Sequence, residues 1–139
     1  MHDEPTEVIF LKSATDTVIY EDNLGEFETR LLFQQLLGDE NEAARLAEGW
    51  DGDRYRVLGR NRDVLEWYSV WDDAAAASKF ATGLERAWAK RRAIGQKSRR
   101  SDIKQLTVEG RPVVRLIDAP VGWTGWRNLP AVRLSEEAE

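Results

Sequence analysis

The sequence predicts an α+β fold, a two-layer sandwich in which an antiparallel sheet of four to five strands carries its helices on one face. Segments with helical spacing alternate with paired strand-like runs in the order helix, hairpin, helix, hairpin, and this order favours an antiparallel sheet with helices on one side. The length of 139 residues fits one domain, because a chain of this size buries enough surface for a single core.

Helical segments are predicted before the first hairpin. Asp22 or Asn23 is the candidate cap of a first helix, and Gly38 ends it because glycine tolerates a left-handed backbone. The apolar residues of this helix cover more than one face, which predicts that it is largely buried. Asp39 followed by Glu42 is the cap-plus-glutamate pattern of a second, shorter helix.

The first hairpin contains the predicted central strand of the sheet. Gly49 and Gly52 interrupt the helical spacing and predict a turn over residues 49–53. A strand around residues 55–57 follows, and the run Val64–Trp71 has apolar residues at both alternate sets of positions. This pattern is typical of a strand that is covered on both faces.

The longest helix and a second hairpin are predicted next. Asp72 is the candidate cap of a helix with one apolar stripe over residues 77–88, and three cations at residues 90–92 suit the negative end of its dipole. Two further strands are predicted at residues 103–108 and 113–117, joined by a turn.

Domain organisation follows from these elements. Residues 1–16 are predicted to be a flexible lead-in with a short strand at residues 8–11, and residues 17–118 a single α+β domain that opens with a strand at residues 17–20. Residues 119–139 contain tryptophan and proline without a sustained period and end in glutamates. They are predicted to form an irregular tail.

Composition excludes several classes of function. The chain contains no cysteine, so disulfides, thiolate nucleophiles and cysteine-ligated metals are excluded. A net charge of −5 disfavours nucleic-acid binding. No apolar run approaches the roughly 20 residues that span a bilayer, and the start has no signal-peptide pattern. We therefore expect a soluble segment with no membrane contact, in a compartment that the sequence leaves open.

Residue types for common catalytic chemistries are scarce. The only histidine is His2, in the lead-in, whereas a catalytic triad or a histidine metal site needs imidazoles on rigid elements. Asp51 and Asp53 flank Gly52 but lack the later ligands of a calcium loop, which favours a structural turn. We expect no catalytic residue, no metal and no cofactor.

Glu66 is a candidate binding residue because it is the single charge within the apolar run Val64–Trp71. Two interpretations stay open. It is either a buried acid with a raised pKa, which is typical of functional carboxyls, or a residue that faces water or pairs with Arg54 or Arg56 across the hairpin. The second interpretation is the more common one for a charge at such a position.

Two further groups are candidate binding residues. Arg91 and Arg92 belong to the only basic cluster, which suits either a phosphate, a nucleic acid or an acidic partner or, more commonly, a solvated helix end. Trp123 and Trp126 are either a stacking platform for a sugar or peptide, or anchors that pin the tail onto the core. The second interpretation is favoured for the tryptophans as well.

Three stretches, residues 20–27, 47–55 and 67–72, resemble the C-terminal part of a group of uncharacterised bacterial proteins that look like secreted or membrane-attached zinc metallopeptidase relatives. The resemblance covers about residues 17–85. The group has a His-Glu-x-x-His helix in an upstream region, and this chain lacks that motif, so no metal ligand carries over. The resemblance therefore implies an accessory half, with a protein partner or a linked upstream domain, in a secreted or envelope-associated protein.

These observations predict a non-catalytic accessory or interaction domain that packs on or regulates a peptidase-like region. The alternative is a module that binds a small molecule, peptide or glycan through Trp123 and Trp126. A third hypothesis is a carboxylate enzyme centred on Glu66, or on Asp51 and Asp53, and it requires a pocket in which two carboxylates converge.

Overall fold

Five antiparallel strands in the order β2-β3-β4-β6-β5 form the central sheet. The computed structural model describes residues 5–11, 17–92 and 98–135. The elements are β1 (Glu7–Phe10), β2 (Val18–Asp22), α1 (Glu26–Leu37), α2 (Glu40–Ala47), β3 (Trp50–Leu58), β4 (Val64–Trp71), α3 (Ala74–Arg92), β5 (Arg99–Val108), β6 (Arg111–Pro120), a 3-10 helix (Thr124–Arg127) and β7 (Val132–Ser135). The predicted α+β class is confirmed.

The helices cover one face of the sheet, which we call the helical face. Its core is built from β4 and α3. The ring of Phe80 stacks on Trp71 with centroids 4.4 Å apart and meets Trp67 and Phe33 edge-on. The stripe predicted for the longest helix is buried here, because small residues let α3 approach its neighbours closely.

The opposite face carries a small layer that the sequence did not predict. Strands β1 and β7 pair antiparallel, with Phe10 opposite Val132, and form a two-stranded ribbon. The ribbon packs on Tyr68, Val70 and Val113 of β4 and β6, so we call this the ribbon face. Because both faces are covered, β4 is buried along almost its whole length, as the sequence predicted.

Two helix boundaries agree with the predicted caps. Gly38 ends α1 with a left-handed backbone at φ 73°, which glycine adopts at little cost. The Asp39 carboxylate accepts a hydrogen bond from the Glu42 backbone N–H at 3.1 Å and caps α2. Both signals are local in sequence, which is why they were visible there.

The caps predicted for α1 and α3 are wrong. Asp22 belongs to β2 and pairs with Tyr55, and the residue before α1 is Gly25, which makes no side-chain cap. At α3 the Ala76 backbone N–H donates to Asp73, not to Asp72. In the first case strand pairing extends further than the sequence pattern showed, and in the second the cap lies one residue later.

Only Gly49 of the turn predicted at residues 49–53 lies in a turn, with a left-handed φ of 88°, and residues 50–53 are instead the start of β3. Trp50 lies opposite Trp71, and the register shifts by a bulge before Gly52. A Cβ on Gly52 would collide with the Thr6 backbone, so this glycine is needed where the chain segment leading into β1 crosses β3. Position 52 is a glycine because two backbones approach closely there, and not because the chain turns.

The tail expected to be irregular contains regular structure. Strand β6 continues to Pro120, and the 3-10 helix and β7 follow. The sequence predicts the short strand β1 but not its partner β7, which lies more than a hundred residues away along the chain. His2, the terminal glutamates Glu136, Glu137 and Glu139, and the side chain of Arg92 lie outside the described residues.

Candidate functional site

Asp53 is a buried carboxylate that anchors the start of α1. It is 2% exposed and accepts hydrogen bonds from the backbone N–H groups of Leu24 and Gly25 at 2.9 and 2.8 Å, and from Trp67 Nε1 at 2.9 Å. Burial raises the pKa of Asp53 above its ordinary value, and these donors oppose that rise. Asp53 therefore caps the start of α1 from a position on β3 that is distant in sequence.

Asp51 points away from Asp53 to a different set of partners. Its carboxylate accepts hydrogen bonds from the Thr6 hydroxyl and from Arg111, at the edge of the ribbon face. The two carboxylates do not share a pocket, which removes the geometric basis of the carboxylate-enzyme hypothesis for this pair. Within the described ranges, no three His, Cys, Asp or Glu side chains are arranged to hold a metal ion.

Glu66 is the ion-pair partner of Arg56. The two residues are opposite each other on β4 and β3, and Arg56 Nε donates to Glu66 Oε1 at 2.5 Å. Both side chains are almost fully buried, and the Phe10 ring lies 3.9 Å from the Arg56 guanidinium carbon. The interpretation of Glu66 as one half of a cross-strand pair matches this geometry.

Trp123 and Trp126 pack together against the sheet. Their rings meet edge-on with centroids 5.4 Å apart, and both rest on the cluster formed by Leu58, Val64 and Ala119. The indole N–H of Trp126 donates to the Pro120 carbonyl at 2.9 Å. This geometry supports the interpretation that the tryptophans pin the tail, and a binding role for them stays a prediction.

Arg91 reaches the same end of the sheet from α3. Its guanidinium lies 5.2 Å from the centre of the Trp88 ring, and Nη1 is 3.7 Å from Asp118 Oδ2. The buried carboxylate of Asp118 also accepts from Trp88 Nε1 at 2.8 Å and from Arg99 Nε at 2.7 Å. Asp118 is not predicted as a site residue, because nothing in the local pattern separates it from a surface aspartate at the end of a strand.

Most of the exposed large apolar residues come from one stretch of the chain. Of seven such exposed residues among those described, six belong to the stretch after β1, to β2 and to α1, and we call this the open side. They are Leu11, Val18, Ile19, Tyr20, Phe27 and Leu31. The prediction that the first helix is largely buried is therefore wrong for the face that carries Phe27, which is 63% exposed.

A groove of about 410 Å³ lies between β1 and β2, on the ribbon face of the sheet. It is lined by residues 7–11 together with Glu21, Arg54 and Arg56. Arg54 Nε donates to Glu21 at 2.6 Å and Arg54 Nη1 donates to Asn23 at 2.9 Å. The groove lining thus combines the apolar residues 8–11 with the charged residues Glu7, Glu21, Arg54 and Arg56.

These features define an α+β domain with three helices on one sheet face and a strand ribbon on the other. The chain belongs to the family described as Domain of unknown function (DUF8575), whose model matches residues 15–121. The matched segment contains β2 to β6 and the three helices, while β1 and β7 lie outside it. No curated protein and no solved structure matches this chain. The family match makes no connection to zinc metallopeptidases.

No helix in the described part of the chain has the length and apolar character needed to cross a membrane.

Proposed function

We propose that this chain is a non-catalytic interaction domain that binds an extended segment of a partner protein along the open side. The observation that carries this proposal is that six of the seven exposed large apolar residues, among those described, come from residues 11–31, which include the edge strand β2. Apolar surface that is gathered in one patch, instead of scattered, marks interaction sites.

The edge strand β2 supports an extended ligand in particular. All five residues of β2 are exposed, and it is the outermost strand of the sheet, so its outer backbone groups are available to pair with another strand. The other edge strand, β5, carries polar residues at its exposed positions, including Arg100 and Lys104. Charged edges resist strand addition. In β2 the charges are confined to the last two residues, Glu21 and Asp22, so the apolar part Val18 to Tyr20 is the edge suited to a partner.

The surroundings of β2 supply side-chain contacts for such a segment. Phe27 and Leu31 are one helical turn apart on α1 and both are exposed. The start of α1 is held against β3 by Asp53, which keeps Phe27 close to the end of β2. The groove between β1 and β2 lies on the other side of the strand. A strand added to β2 would therefore place alternate side chains against α1 and into the groove.

We further propose that the partner segment belongs to a peptidase-like region, in the same protein or in another. This finer proposal rests on the sequence resemblance alone.

The proposal is tested by selecting linear peptides from a display library on the wild-type chain. Tyr20→Lys combined with Phe27→Lys should weaken the selected peptides by at least about tenfold, because aromatic residues contribute most to interfaces of this kind. Val121→Lys is the matched control, since Val121 is equally exposed but lies outside the open side. Affinities are measured by fluorescence anisotropy, and perturbed backbone amide resonances should include those of β2.

Two results would contradict the proposal. One is a set of peptides whose affinity falls equally in the Val121→Lys control. The other is hydrolysis of peptide or glycan substrates by the purified chain, which would show that the domain is catalytic.

A further inference from the structure

Arginines gather at one end of the sheet, which we call the arginine end. The β3–β4 turn, the last turn of α3, the start of β5 and the end of β6 meet here, with Arg99 and Arg100 opposite Pro120 and Ala119. The residues that define it are Arg60, Arg62, Arg91, Arg99 and Arg100. Two carboxylates lie nearby, Asp63 in the turn and the buried Asp118 on β6.

Three of these cations form no ion pair with a carboxylate of the described residues. In residues 5–11, 17–92 and 98–135, the ion pairs at this end join Asp118 to Arg99 and Arg91, whereas Arg60, Arg62 and Arg100 make none. A chain with a net charge of −5 and a pI near 5.1 thus keeps an uncompensated positive surface at one end. Uncompensated charge of one sign attracts a partner of the opposite sign.

Two guanidinium groups at this end are held by aromatic rings. The Arg100 guanidinium lies 4.1 Å from the centre of the Trp126 ring, and that of Arg91 lies 5.2 Å from the Trp88 ring. Stacking fixes the plane of a guanidinium, and the N–H edge of a guanidinium matches the two oxygens of a carboxylate. Arg91 already turns this edge to Asp118, whereas Arg100 forms no ion pair within the described residues. Less side-chain entropy is then lost when a ligand binds.

We propose that the arginine end binds a short carboxylate-rich segment of a partner protein. Nucleic acid is the weaker fit, because its phosphates continue beyond the patch, and the remainder of this acidic surface repels them. An acidic segment of a few residues stays within the patch. This inference is independent of the open side, which has different residues and a different ligand.

The test uses a fluorescein-labelled oligoglutamate peptide and fluorescence anisotropy on the full chain. An oligoglutamine peptide of the same length and a single-stranded oligothymidylate of the same charge are compared with it. The oligoglutamate should bind more tightly than both, and its affinity should fall as salt is raised, because exposed charges are screened beyond about 10 Å at 0.1 M salt.

Arg62→Gln combined with Arg100→Gln should weaken oligoglutamate binding by roughly 2- to 20-fold, since each exposed ion pair contributes about 1.5- to 5-fold. Arg62→Lys combined with Arg100→Lys keeps the charge and should recover most of the affinity. Arg133→Gln is the control, because Arg133 is exposed on β7 and lies away from this end. The Tyr20→Lys, Phe27→Lys variant should bind like wild type.

Three outcomes would overturn the inference. They are equal or tighter binding of oligothymidylate, a loss in Arg133→Gln as large as that of one arginine at the arginine end, and no salt-sensitive binding of oligoglutamate to the wild-type chain.

Discussion

The two faces of the central sheet bury acidic side chains by different means. On the helical face, Asp53 is held by two backbone N–H groups and an indole N–H. On the ribbon face, Glu66 is held by the guanidinium of Arg56. Neutral donors position a carboxylate without cancelling its charge, whereas a guanidinium does both. The raised pKa of Asp53 follows from this difference, because desolvation is not offset by a cation.

The faces also differ in how far their contacts reach along the chain. The aromatic cluster of the helical face joins helices and strands that each show a clear pattern. The ribbon face depends on distant contacts, such as the Tyr68 hydroxyl donating to the Pro130 carbonyl at 2.5 Å. Burial at this site raises the pKa of Tyr68 to about 12. We infer that the helical face supplies most of the stability and that the ribbon face adds polar contacts that demand one register.

The first way to break this comparison is Phe80→Ala, which removes the ring at the centre of the helical face. The substitution should lower the free energy of unfolding by about 3–5 kcal/mol, because a buried cavity replaces the ring. Phe27→Ala is the matched control and should change it by less than about 0.5 kcal/mol, because Phe27 is exposed. Urea titration measures both. Equal losses would show that the helical face is not the main core.

Glu66→Gln tests the ribbon face and is expected to have the next largest effect. It leaves the Arg56 guanidinium buried without a counter-charge, so the free energy of unfolding should fall by about 3 kcal/mol. In the control, Glu21→Gln weakens the partly exposed Arg54–Glu21 pair and should cost less than about 1 kcal/mol. Thermal and urea denaturation measure the loss of unfolding free energy in both variants. Equal losses in Glu66→Gln and Glu21→Gln would contradict the buried role of Glu66.

Asp53→Asn sharpens the contrast between the two carboxylates. One amide oxygen cannot replace both carboxylate oxygens as acceptor for three N–H groups, so unfolding free energy should fall by about 1–3 kcal/mol. Because the folded pKa is raised, Asp53 favours folding below its ordinary pKa of 3.8, and this contribution is lost as pH rises through the folded pKa. The wild type should therefore lose part of its advantage over the variant between pH 3.5 and pH 7. A constant difference, measured by urea titrations across that range, would show that the pKa is not raised.

The sequence predicted less of the candidate sites than of the fold. Glu66, Trp123 and Trp126 were each given a structural interpretation that matches the observed geometry, because their surroundings within a few residues already favoured it. The open side was not predicted, since exposure of Val18 or Phe27 depends on which neighbours the fold brings against them. The type of an apolar residue does not show whether the fold buries it or leaves it exposed.

The sequence by itself determined the α+β class, the central strand Val64–Trp71 and the caps at Gly38 and Asp39, because these depend on periodicity and on contacts within four residues. Only the tertiary structure decided the β1–β7 pairing, the partners of Asp53 and the arginine end, because each joins residues that are remote along the chain. A short strand or a single charged residue carries no periodic signal that identifies its partner. The partner is therefore decided only when the sheet, the helices and the ribbon assemble.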